Sequence, residues 1–223
     1  MTSTIVAEPR TSAGTVRRGT WALWGTAAGL LGVTANLVAQ PQVTEADRAA
    51  GASVVEKLTQ GSYHVGAIAG FGAVACLLLF AAGFRRWAGR QASDSLALHA
   101  VPLALVASAG ALIAAYGVKG MLAAYLPGGF NESSYADGAR YTYFLLDDLA
   151  GYYSWWGVTV AAACIAYLAL RERLMPRWIG VLATLVTVLP LAFLVTVGFT
   201  GFSGIVAPVF LLIGATGMSR MRS

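Results

Sequence analysis

The sequence predicts an all-α polytopic membrane protein with six transmembrane helices and both termini in the cytoplasm. Three observations carry this. Of 223 residues, 57% are hydrophobic and only 11% are charged, against roughly 25% charged in an ordinary soluble domain. The apolar residues form continuous runs of about 20, the length that crosses the hydrocarbon layer as a helix. The basic residues fall between alternate runs, as a membrane topology requires. A span in lipid must satisfy its own backbone hydrogen bonds, so the runs are helices. They are too long and too continuous for the alternating strands of a barrel.

Residues 1–20 read as a cytoplasmic tail carrying Arg10, Arg17 and Arg18. No apolar stretch follows its start, so it is not read as a cleaved signal peptide. Residues 21–219 form a single six-helix domain. Its spans are placed at 21–40, 62–84, 96–126, 148–170, 178–197 and 202–218. The last two come from one stretch without charge, Trp178 to Met218. As one helix it would reach about 60 Å, twice the hydrocarbon thickness, so the chain must turn. "GFTGFSG", 198–204, is the turn. Pro190 and Pro208 fall inside these two helices and are expected to kink them.

Direction follows from the arginines. The N-tail, the 2–3 loop (Arg85, Arg86, Arg90), the 4–5 loop (Arg171, Arg173, Arg177) and the C-tail (Arg220, Arg222) together hold eleven basic residues. The opposite side holds four: Arg48, Lys57, Lys119 and Arg140. Basic loops stay in the cytoplasm, and the alternation closes only with six spans. The acids are biased the other way, with seven of ten outside. The net charge of +5 is therefore topological. It does not point to nucleic acid, because the arginines flank apolar runs instead of forming a patch.

The two outer loops are the longest. In "TEADRAAGASVVEKLTQ", Thr44 and Asp47 have the spacing of a capping box. Ala50, Val54 and Leu58 then recur every four residues, which predicts a short amphipathic helix over the bundle mouth. "LPGGFNESSYADGAR" is rich in turn formers and is expected to be irregular. Recognition, if any, belongs on this outer side, where the long loops are.

Chemistry-bearing residues are few. Cys76 and Cys164 lie inside apolar runs and form no framework. His64 and His99 begin spans that run in opposite directions, so they stand near opposite surfaces and share no metal or haem. No metal or cofactor motif is present. Lys119 is the one lysine within a span, near its outer end. Two readings are open: it snorkels to the surface, or it faces the bundle and pairs with Asp147 or Asp148. Those two aspartates open span four. The helix dipole favours acids at such an N-terminus, so capping alone accounts for them; contact with an ion or ligand is the functional alternative. Adjacent positions point about 100° apart, which argues against a catalytic dyad. Tyr141, Tyr143, Tyr152, Tyr153, Trp155 and Trp156 make an outer aromatic belt, and Trp21, Trp24, Trp87 and Trp178 an inner one. The sharper reading of the outer belt is an aromatic cup for a lipophilic or cationic small molecule. Gly25/Gly29, Ala28/Gly32 and Gly66/Gly70 are small-residue pairs at spacing four, suited to close helix contact.

The basic N-tail, the outer "EADRAA…VVEKL" segment, "HVGAIAGFGAVACLLLFAAGFRRW" and "LMPRWIGVLATLV" together resemble the small six-span integral membrane proteins of actinobacteria, a family of unknown function. The resemblance implies a multi-pass protein of a bacterial plasma membrane and carries no site over.

Three readings of function are weighed. The first is a non-enzymatic accessory or ligand-binding subunit. Its partner would be the bilayer with another membrane protein or a second copy, and its site Tyr63, His64, Lys119, Asp147, Asp148, Tyr152 and Trp156. The second is a small-molecule carrier or substrate-capture subunit, by analogy with six-span capture subunits of vitamin transporters. The third, a lipid-modifying enzyme, stands last, because no nucleophile and base converge on one surface.

Overall fold

A computed structural model describes residues 19–40, 43–49 and 51–221. Most of the N-tail, Ala50 and Arg222 lie outside the described residues. The described chain is helical, with no strand. Its elements are α1 (Leu23–Val33), α2 (Glu45–Ala49), α3 (Gln60–Ala88), α4 (Leu96–Tyr125), α5 (Asp137–Tyr153), α6 (Trp156–Leu170), α7 (Arg177–Val197), α8 (Ser203–Phe210) and α9 (Thr216–Ser219). Among the described residues, five helical stretches are long and apolar enough to cross a membrane: Thr20–Val38, Gln60–Ala88, Leu96–Tyr125, Asp137–Leu170 and Arg177–Val197. Ser203–Ser219 is a shorter apolar helix. The protein is thus an all-α membrane protein with several apolar passes.

Successive passes are antiparallel, so the bundle has two distinct ends. At the arginine end, a Cβ on Gly19 would lie 3.3 Å from the Met218 carbonyl, and Ser93 donates to Glu172 at 3.0 Å. The loop end carries α2, the 126–136 connection and the turn at 198–202. α4 packs against α3, α5 and α6; α1 lies between α3 and α8; α7 leans on α6 and α8.

Local chemistry explains most boundaries. Ser95 caps α4 by accepting from the Ala97 N–H at 3.3 Å. α7 ends at Gly198 in the left-handed conformation, φ 72°. The expected capping box forms: the Thr44 N–H donates to Asp47 Oδ2 at 3.1 Å, and the Asp47 N–H donates to Thr44 Oγ1 at 3.2 Å. The amphipathic helix expected after it is broken. Gly51, at φ 67°, ends α2, and Gly51–Lys57 winds as a tighter 3₁₀ turn. Val54 and Leu58 are still buried, against Tyr63, Leu122, Leu126 and Phe144.

The fourth pass departs most from expectation. Its helix begins at Asp137, not at Asp148. Hydropathy marks where lipid begins, whereas this helix starts in polar sequence above it. Phe144, Asp147, Ala150 and Gly151 form its buried face at helical spacing. Two aromatic expectations also change. Trp155 is fully buried, its ring against Gly32 of α1. Trp21 and Trp87 form a core stack with Phe80 and Phe84, the Trp21 and Phe80 centroids 5.5 Å apart.

Candidate functional site

The site is built where α1 leaves α-helical geometry. The Ala39 N–H donates to the Thr34 carbonyl at 2.8 Å, an i→i+5 bond, and Thr34–Val38 winds as a π turn. Such turns occur disproportionately at functional sites, since they re-aim a side chain. Here the side chain is Asn36, 2% exposed. Its Nδ2 donates to the Gly151 carbonyl at 3.1 Å and the Gly204 carbonyl at 3.2 Å. Its Oδ1 accepts from Tyr116 Oη at 3.1 Å, and its backbone carbonyl accepts from Tyr152 Oη at 3.0 Å. A buried amide without partners costs several kcal/mol; this one ties α1 to α4, α5 and α8.

One turn nearer the loop end lies a buried ion pair. Lys119 is 1% and Asp147 2% exposed, and Lys119 Nζ stands 3.2 Å from Asp147 Oδ2. The ammonium donates to Gln40 Oε1 at 2.9 Å and lies 5.3 Å from the centre of the Tyr63 ring, a cation–π distance. The Gly66/Gly70 pair makes room for this arrangement. A Cβ on Gly70 would fall 2.2 Å from the Tyr116 ring, and one on Gly66 2.9 Å from Lys119 Cδ. Asp147 Oδ1 has no hydrogen-bond partner among the described residues. Oδ2 is held by the 3.2 Å ion-pair contact with Lys119, and Oδ1 leaves the carboxylate acceptor capacity to spare.

Beside the pair, a cavity of about 370 Å³ opens between the end of α1, α5 and the 198–202 turn. Gln40, Asp148 and Tyr152 give its wall polar groups; Phe144, Phe199 and Ile205 give it apolar surface. Gln40 is also Lys119's acceptor, so one side chain both lines the cavity and binds the buried ammonium.

Five of the seven residues singled out in the sequence meet here: Tyr63, Lys119 and Asp147 in the core, Asp148 and Tyr152 in the cavity wall. His64 is exposed on α3 and stands apart. Trp156 Nε1 donates to the Thr200 carbonyl at 2.9 Å and so pins the 198–202 turn. The two open readings of Lys119 resolve toward the interior. The capping account of Asp147 and Asp148 fails, because α5 begins at Asp137, nearly three turns earlier. Sequence reasoning missed Asn36, Gln40 and Tyr116. The signal for the first two was an amide pair in the otherwise apolar "TANLVAQ". For Tyr116 it was the i,i+3 spacing to Lys119.

Compared with models of known families, with curated proteins and with solved structures, the chain matches none.

Proposed function

We propose that this chain is a non-enzymatic, ligand-binding subunit of a bacterial plasma membrane. In this reading Ser203–Ser219 is the sixth span, the termini are cytoplasmic, and the loop-end cavity faces outside. The supporting observation is the Lys119–Asp147 pair, linked to that cavity through Gln40. Charges at membrane depth are expensive and are retained mainly where they act. A cavity of about 370 Å³ is the size of a small-molecule site. An acid, two amphipathic polar groups and aromatic walls suit a small molecule with a cationic or donor head and an apolar body.

Gentle purification followed by native mass spectrometry tests this. A retained small molecule, lost in Asp148→Asn and in the double variant K119M/D147L, supports the reading. Wild-type protein that retains nothing, or variants that retain as much as wild type, would overturn it. A co-purifying membrane protein would identify the accessory role.

A carrier is the second reading, favoured by two helix interruptions: the π turn at Asn36, and the α5–α6 break at Ser154–Trp155 about two turns beyond Asp147. Broken helices at a midplane site are common in carriers. Uptake of the retained molecule into proteoliposomes separates carrier from receptor.

A further inference from the structure

At the opposite end, α3 and α4 diverge around a groove of about 1070 Å³. We propose that this groove binds one anionic phospholipid. Its rim carries Arg85, Arg86 and His99; its floor carries Leu78, Leu103 and Val106. Neither arginine has an ion pair among the described residues. The one acid in the lining, Asp94, is fully exposed, stands 3.8 Å from His99 Nε2 and makes no ion pair with either arginine among the described residues. Leu78 precedes Arg85 by seven residues, and His99 precedes Val106 by seven. Both walls therefore descend about 10 Å from a polar rim, which carries the two arginines on the α3 side, to an apolar floor. Leu78, Leu103 and Val106 are 40%, 71% and 50% exposed.

That profile selects among occupants. A free phosphate satisfies the rim and leaves the floor bare. A zwitterionic lipid brings its own cation to two arginines. A second copy related by two-fold symmetry would set arginines against arginines. A lipid with a net negative headgroup satisfies both levels, its phosphate on the guanidinium groups and its chain along the leucines and valine. Basic pockets between helices at the cytoplasmic side are suited to such headgroups. The groove is remote from the loop-end cavity, so the inference does not rest on a ligand there; it takes from the proposed function only the cytoplasmic placing of the arginine end.

The test uses the full chain in nanodiscs of phosphatidylcholine containing phosphatidylglycerol, with retained lipid read by native mass spectrometry. One phosphatidylglycerol retained in preference to phosphatidylcholine is expected. R85Q/R86Q should weaken that preference on the order of 30-fold. L103W/V106W should abolish retention with both arginines in place. R171Q/R173Q, which removes charge at the same end outside the groove, should leave it unchanged. Equal retention of both lipids, or equal loss in R171Q/R173Q, overturns the site. Displacement by inorganic phosphate alone would show an anion site without a lipid floor and also overturns it. If R85Q/R86Q does not fold, L103W/V106W decides: undiminished retention there refutes the proposal.

Discussion

Lys119 and Asp147 show what a single residue contributes to this bundle and how to tell role from stability. Removing one member of a buried ion pair strands the other charge and typically costs about 3–5 kcal/mol, whereas replacing both by apolar residues of similar volume is often neutral. Lys119→Met should therefore destabilise strongly, by about 3–5 kcal/mol, and K119M/D147L should recover most of that loss; thermal unfolding in detergent measures both. If the double variant is as unstable as the single, the pair is not the isolated unit the 3.2 Å contact implies. Gly70→Ala has a different cause. Its new Cβ would fall 2.2 Å from the Tyr116 ring, and such overpacking costs about 1–3 kcal/mol. A Gly70→Ala protein with unchanged melting behaviour would show that α3 and α4 separate easily. Residue by residue, the sequence was legible where a side chain was alone of its kind. Lys119 stood out as the sole lysine in a span. Asn36 did not, because its donors end on the Gly151 and Gly204 carbonyls, and no spacing along the chain announces a backbone acceptor more than a hundred residues away.

Among elements, the start of α2 was the more legible, and α5 the less. Thr44 and Asp47 are local partners, so spacing alone revealed their box. The break at Gly51 could not be read the same way, since both a continuous helix and a broken one bury Val54 and Leu58. In α5 the apolar run and the helix are different things, and only the run is visible in hydropathy. The loop helix also carries a pH dependence. The Lys57 ammonium, helped by Thr44, holds the Asp47 carboxyl down at about 2, from an ordinary 3.8. A depressed folded-state pKa stabilises above the unfolded value, and that contribution fades as pH falls from about 4 through about 2. The α2 cap should hold at neutral pH and loosen in that acid window. Lys57→Ala should move the Asp47 midpoint up toward 3.8; a carboxyl carbon-13 titration reads the shift. An unmoved midpoint would assign the depression to Thr44 alone. Asn36→Leu is the corresponding test of the π turn. It removes three side-chain bonds, each worth about 0.6 kcal/mol between helices in a membrane, for a loss of about 2 kcal/mol.

For the whole molecule, the decisive property is that its two ends differ in charge and in form. The arginine end has tight hairpins, and the loop end has α2, the 126–136 connection and the buried pair beneath them. Antiparallel packing makes the ends distinct without saying which faces the cytoplasm. That assignment rests on the asymmetry of eleven basic residues against four and on the cost of moving short basic loops across a bilayer. In the proposed orientation, Arg85 and Arg86 would meet anionic lipid of the inner leaflet, and Gln40, Asp148 and Tyr152 would meet external solutes. The measurement is labelling of intact cells by a membrane-impermeant maleimide, in a Cys76→Ala, Cys164→Ala background that removes both native thiols. Ala136→Cys, exposed just before α5, should label in intact cells. Ala92→Cys, exposed between α3 and α4, and Arg171→Cys, exposed after α6, should label only after permeabilisation. The reverse pattern would turn the molecule over, placing the cavity in the cytoplasm and the cationic groove in the outer leaflet. Labelling of Ala136→Cys and Ala92→Cys from the same side would be a stronger refutation, because α4 would then not cross the membrane at all.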